Sequence, residues 1–105
     1  MVTMAQIEEV SRRIAGNFDP IKVILFGSHA DGTATEDSDV DLLVVLPFEG
    51  KPLRKSLEIL NRIDARFALD LLARRPDDVQ RRYDQGDPLI REAINGGKVL
   101  YERHG

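Results

Sequence analysis

The stretch that decides the fold is "GSHADGTATEDSDVDLLVVL", residues 27–46. A Gly-Ser step opens it, an acidic loop follows, and "DVDLLVVL" closes it as a strand bounded by Pro47 and Gly50. Side chains along a strand alternate faces, so Asp39 and Asp41 share a side with Cα atoms about 6.5–7 Å apart. Val40, Leu42, Val44 and Leu46 then face the other way. Two carboxylates that close repel each other, and partial desolvation at a strand start sharpens the conflict. A divalent cation between them relieves it.

Working outward, "IKVILF" (residues 21–26) is rich in β-branched residues and too short for a helix, which makes it a buried strand ending at Gly27. Upstream, Met4, Ile7, Val10 and Ile14, with Phe18 one step further, recur at helical spacing over residues 4–17, and "NFDP" stops that helix. Downstream, "KPLRKSLEILNRIDARF" (51–67) places Leu53, Leu57, Leu60, Ile63 or Asp64, and Phe67 on one helical face, with Pro52 in the first turn. "FALDLLA" (67–73) reads as a third strand interrupted by Asp70, residues 76–84 and 88–95 as two short helices, and "KVLYE" as a last strand. Asn95-Gly96-Gly97 ends the second of those helices. The order implies an α/β (α+β) fold: a small mixed sheet of three to four strands covered by helices, in a single domain spanning residues 1–105.

A chain of 105 residues, 42% hydrophobic and 31% charged, leaves room for one core. No apolar run approaches the roughly 20 residues of a membrane span, and the first residues lack the order of a signal peptide, so the expected location is cytoplasmic. The absence of cysteine excludes disulfides, thiolate metal sites and a cysteine nucleophile, leaving oxygen and the two histidines to hold any metal. The net charge of −3 divides unevenly: residues 1–50 carry three Lys/Arg against nine Asp/Glu, residues 51–105 twelve against nine. No clustered cationic excess marks a phosphate-backbone footprint, and direct nucleic-acid binding is not expected. A calcium loop starting at Asp37 fails as well, because Leu42 and Phe48 stand where Gly and Glu are needed.

Asp70 lies between Leu69 and Leu71 in a run expected to be buried, where an unpaired charge is costly. Pairing with Arg66 or Arg74 is one solution. The other places the third strand beside the second, so that Asp70 joins Asp39 and Asp41. Three hard oxygen ligands suit Mg²⁺, with room for two ions about 3.5–4 Å apart clamping a triphosphate. Gly27 lets the backbone approach a ligand closely, and Ser28 offers a hydroxyl and an amide at the start of a short helix. His29 and His104 read as solvated, Arg74, Arg75, Arg81 and Arg82 as an exposed helical face, and Tyr101 as a neighbour of the core.

Gly27-Ser28, ten intervening residues, then Asp39-Val40-Asp41 followed by an apolar strand resembles the polymerase-beta-like nucleotidyltransferase superfamily. "SDVDLLVV" and "PLIREAINGGKVLYE" resemble the minimal nucleotidyltransferases, often antitoxins of HEPN-domain toxins. The resemblance implies the nucleotidyltransferase fold, with Gly27 and Ser28 binding the phosphates of ATP or another nucleoside triphosphate. It implies that Asp39, Asp41 and Asp70 are catalytic and bind Mg²⁺, Asp70 also helping to deprotonate the acceptor hydroxyl. The implied reaction moves a nucleoside monophosphate, AMP from ATP, to a hydroxyl and releases pyrophosphate; in members paired with HEPN toxins the acceptor is a toxin tyrosine. Two residues depart from the pattern: Asp31 and Thr35 stand where arginines are frequent, and residues 28–41 contain no Lys or Arg. An added carboxylate beside a triphosphate weakens nucleotide binding unless it points to solvent or a cation arrives from elsewhere. The alternatives are an antitoxin that acts by binding alone and a small-molecule nucleotidyltransferase.

Overall fold

The computed structural model describes residues 1–104. In chain order the elements are α1 (Met4–Phe18), β1 (Lys22–Phe26), α2 (Ser28–Asp31), β2 (Val40–Val45), α3 (Pro52–Ile63), β3 (Leu69–Arg74), α4 (Pro76–Asp84), α5 (Pro88–Gly96) and β4 (Lys98–Glu102). The four strands form one mixed sheet in the order β3-β2-β1-β4. β2 pairs in parallel with β3 and antiparallel with β1, which pairs antiparallel with β4. This is the small mixed sheet with helical cover expected from the sequence.

β2 runs through the middle, which is why its sequence is apolar on both faces rather than alternating. On one face Val40, Leu42 and Val44 pack with Ile7, Val10 and Ile14 of α1 and Ile59 and Ile63 of α3. On the other, Leu43 and Val45 pack with Ile24 and Phe26 of β1, Val79 of α4, and Ile90 and Ala93 of α5. Each Val, Leu, Ile or Phe among them contributes roughly 1.5–3 kcal/mol by leaving water. The strand begins at Val40, so Asp39 immediately precedes it and Asp41 lies within it, on the face of Leu43 and Val45.

The helix boundaries follow local chemistry. Thr3 caps α1 reciprocally with Gln6, and Asp19 ends it in the left-handed conformation at φ 46°. Pro52, Pro76 and Pro88 open α3, α4 and α5, where a missing backbone N–H is tolerated.

Two expectations are corrected. The buried stripe of α3 is Ser56, Ile59 and Ile63, whereas Leu53 and Leu57 remain 71% and 50% exposed. Leu53 and Leu57 lie about a quarter turn round the helix from that stripe, whereas Leu60, Ile63 and Phe67 of the expected row do pack with the core, Phe67 from beyond the end of α3 at Asp64. The serine in this stripe is bonded on both sides: Ser56 Oγ donates to the Pro52 carbonyl at 2.9 Å and accepts from the Ala73 N–H of β3 at 3.0 Å. β3 is an edge strand, and Ser56 satisfies a backbone donor that the sheet leaves unpaired.

The four arginines also form no common helical face. Arg74 is half-buried at the end of β3, where burial and then the Arg82 guanidinium hold its pKa below the ordinary arginine value. Arg75 donates to the carbonyls of Phe48 (2.8 Å) and Gly50 and stacks 4.4 Å from the Phe48 ring. Arg81 and Arg82 pair with the buried Asp78, Arg82 at 3.3 Å. Tyr101 packs beside the core, as expected. Among the described residues no helix is long and apolar enough to cross a membrane.

Ser56→Ala should lower unfolding stability by about 1–3 kcal/mol, since the buried Ala73 N–H loses its acceptor. Urea denaturation measures this; an unchanged midpoint would mean that the tether contributes nothing.

Candidate active site

The strand register builds the site. Asp41 is directly opposite Phe26, the last residue of β1, on one side, and directly opposite Asp70 of β3 on the other. The carboxylate of the central strand therefore sits between the Gly27 turn and the third aspartate.

Gly27 turns the chain from β1 into α2 at φ 75° and ψ −155°, a backbone region that is essentially glycine-only. A Cβ at this position would fall 2.3 Å from Asp41 Oδ2, so the turn and the carboxylate touch because residue 27 has no side chain. The Gly27 carbonyl accepts from the Ala30 and Asp31 N–H groups, and the Ser28 carbonyl from those of Gly32 and Thr33. This one-turn helix leaves the N–H groups of Ser28 and His29 at its start, where helices lack internal acceptors.

Asp41 is half-buried, whereas Asp39 and Asp70 are exposed. The exposure of Asp70 corrects the expectation of a buried charge: an edge strand covered incompletely on this face leaves it in water. Burial raises the Asp41 carboxyl above its ordinary value of 3.8, and the Asp70, Asp39 and Glu92 carboxylates push in the same direction, in that order. His29 opposes them, and no Lys or Arg is among the groups acting on Asp41. As they stand, these side chains do not converge on one point: among the described residues no group of three acidic or histidine side chains is gathered closely enough to hold an ion. Like charges repel, and the two exposed aspartates have solvent to spread into. The donor set nevertheless fits a hard divalent cation, being carboxylate oxygen throughout, with no Lys or Arg acting on Asp41 to neutralise it.

Two neighbours escaped the sequence reading. His29 is half-buried rather than solvated, with Nε2 3.3 Å from the Ser38 carbonyl oxygen. Glu92 of α5 is exposed, yet close enough for its charge to act on Asp41, a proximity that no local pattern announces. Asp31 is exposed, and its Oδ1 accepts from the Thr33 N–H at 3.0 Å and the Thr33 hydroxyl at 2.6 Å. Those bonds, the hydroxyl's first, hold its carboxyl below 3.8 and bind it to its own turn.

Residues 8–105 match the sequence profile of the family described as Polymerase beta, Nucleotidyltransferase. The chain belongs to this family. A candidate protein adenylyltransferase of Methanocaldococcus jannaschii is 37% identical to this nucleotidyltransferase-family chain over 91 residues, or 81% of this chain and 60% of that protein. This chain thus spans about 60% of that relative's length. A candidate nucleotidyltransferase from Sulfolobus solfataricus, known from a crystal structure, superposes with a TM-score of 0.65 at 19% identity, covering 94% of this chain and 79% of that one. A toxin–antitoxin structure with AMP-PNP superposes at 0.61 and 18% identity over 91% and 73% of the two chains. The toxin–antitoxin MntA-HpeT, with two Asp-to-Glu substitutions, does so at 0.56 and 14% over 98% and 75%. At such identities the structural likeness establishes the nucleotidyltransferase fold.

Two outcomes follow from the geometry. A carboxyl whose pKa is raised by folding confers stability that is fully present below the unfolded value and lost as pH rises through the folded one. In chelator at neutral pH, Asp41→Asn should therefore raise the denaturation midpoint; below pH 3.8, the ordinary value, the gain should vanish. Equal midpoints at neutral pH would contradict the repulsion described. Gly27→Ala should cost about 1–3 kcal/mol from backbone strain and displace Asp41, as a denaturation curve and a structure of the variant would reveal. An unmoved Asp41 would contradict the close approach.

Proposed function

We propose that residues 1–105 act as one Mg²⁺-dependent nucleotidyltransferase domain that moves AMP from ATP to a hydroxyl on a partner protein, a HEPN-type toxin, and so serves as its antitoxin. The observation that carries this reading is the register that sets Asp41 between the Gly27-Ser28 turn and Asp70. In it, Gly27 lets the backbone approach the triphosphate, and the Ser28 hydroxyl and amide bind phosphate oxygens. Asp39, Asp41 and Asp70 hold the metal, two ions in the full complement. A bound divalent cation supplies Lewis acidity toward the phosphates and the incoming hydroxyl.

The acceptor oxygen bonds to the α-phosphorus, the bond from that phosphorus to the bridging oxygen breaks, and pyrophosphate departs. Asp70 receives the hydroxyl proton. Its exposure on an edge strand supports an acceptor brought by another molecule. The protein adenylyltransferase name of the M. jannaschii relative and the toxin–antitoxin assemblies among the structural neighbours support the same choice. In this reading Asp31 stays turned to solvent, held to its own turn by Thr33.

Incubation with ATP labelled at the α-phosphate, Mg²⁺ and the neighbour-encoded partner should label the partner on a tyrosine. Asp41→Asn should cut labelling by at least about 100-fold, or about 2.7 kcal/mol of transition-state stabilisation. Unlabelled partner with intact protection of cells would overturn the catalytic reading. The lack of Lys and Arg in residues 28–41 favours a second reading, neutralisation by binding alone. It requires that the double variant Asp39→Asn, Asp41→Asn still protect.

A further inference from the structure

The loop between α2 and β2 is closed by its own side chains and tied to α2 by one ring. The Ser38 N–H donates to the Thr35 carbonyl at 3.1 Å, and the Thr35 N–H donates to Ser38 Oγ at 2.9 Å. This reciprocal pair shuts residues 35–38 into a single turn. At the start of the loop the Thr33 N–H and hydroxyl both donate to Asp31 Oδ1. The loop then meets α2 through His29 Nε2 and the Ser38 carbonyl oxygen, 3.3 Å apart. A carbonyl only accepts, so Nε2 is the protonated ring nitrogen in this bond.

The two ends of this contact matter. His29 follows Ser28 on α2, and Ser38 immediately precedes Asp39. Asp39 lies outside β2, so the sheet ladder does not hold it directly; the first β2 amide, that of Val40, bonds to Ala68. Its placement depends on the turn that leads into it. His29 is also half-buried and close enough to act on the charge of Asp41.

We propose that His29 is a positioning residue: by donating to the Ser38 carbonyl it fixes Asp39 relative to Asp41 and couples the Gly27-Ser28 turn to the carboxylate pair. This rests on the reading of Asp39 and Asp41 as metal ligands. Partners that orient ligands without touching the metal typically affect affinity by about 10–100-fold when removed.

The test compares wild type, His29→Ala and His29→Gln without nucleotide, by Mn²⁺ calorimetry and by hydrogen exchange across residues 35–40. A glutamine amide can donate to the same carbonyl. His29→Ala should weaken Mn²⁺ binding about tenfold or more and speed exchange at Ser38 and Val40, and His29→Gln should recover most of both. Loss of fold stability alone would not be rescued selectively in this way. If wild type binds Mn²⁺ and the alanine variant binds it equally well, or glutamine restores nothing, the positioning role is overturned while the metal-site reading stands. If wild type binds no Mn²⁺, the metal-site reading fails and the role assigned to His29 fails with it, whatever the exchange shows.

Discussion

Asp41 carries a carboxylate on a strand that is otherwise buried, and both of its neighbours across the sheet make that charge harder to keep. On one side the Gly27 turn approaches so closely that a Cβ there would fall 2.3 Å from the carboxylate oxygen. On the other, a second aspartate stands in register on the parallel strand. Burial and three carboxylates, Asp70 among them, raise its pKa, with a histidine as the opposing group. Folding thus concentrates negative charge instead of dispersing it. Such unrelieved repulsion persists where the surrounding structure over-determines it and where a positive ligand turns it into affinity.

The rest of the fold supplies that over-determination. β2 is fixed by apolar contacts on both faces, with α1 and α3 on one side and α4 and α5 on the other. The end of α5 is pressed against β1, since a Cβ at Gly97 would meet the Leu25 carbonyl oxygen at 2.9 Å. Ser56 anchors α3 to the edge strand that bears Asp70. The least supported member is Asp39, one residue outside the ladder, and there the loop's own hydrogen bonds take over.

Much of this was legible in the residues. Strand runs bounded by Gly and Pro, and helices opened by Pro, have local causes, and the structure returns them with small shifts at their ends. The spacing of Asp39 and Asp41 puts two carboxylates at the start of β2, and the structure adds Asp70 in register with the second. What failed was tertiary. Leu53 and Leu57 outrank Ser56 as core candidates by hydropathy, yet Ser56 faces inward with Ile59 and Ile63, where its hydroxyl meets an edge-strand N–H. Asp70 was expected to be buried because apolar residues flank it, but flanking residues on an edge strand do not report how completely its face is covered. The charge of Glu92 near Asp41 and the His29–Ser38 contact bring separate elements together, invisible to any periodicity. Asp31 stands where the resemblance puts a cation, and only the structure shows its carboxylate exposed and tied through Oδ1 to Thr33, two residues further on.

The most direct test of the acidic site is anomalous scattering from Mn²⁺, standing in for Mg²⁺, in crystals grown with a non-hydrolysable ATP analogue. The expected peak lies about 2.0–2.3 Å from carboxylate oxygens of Asp39 and Asp41, beside Asp70, with phosphate oxygens at the Gly27-Ser28 turn. Nucleotide bound elsewhere, or bound at that turn with no metal on Asp39 and Asp41 at saturating Mn²⁺, would contradict it.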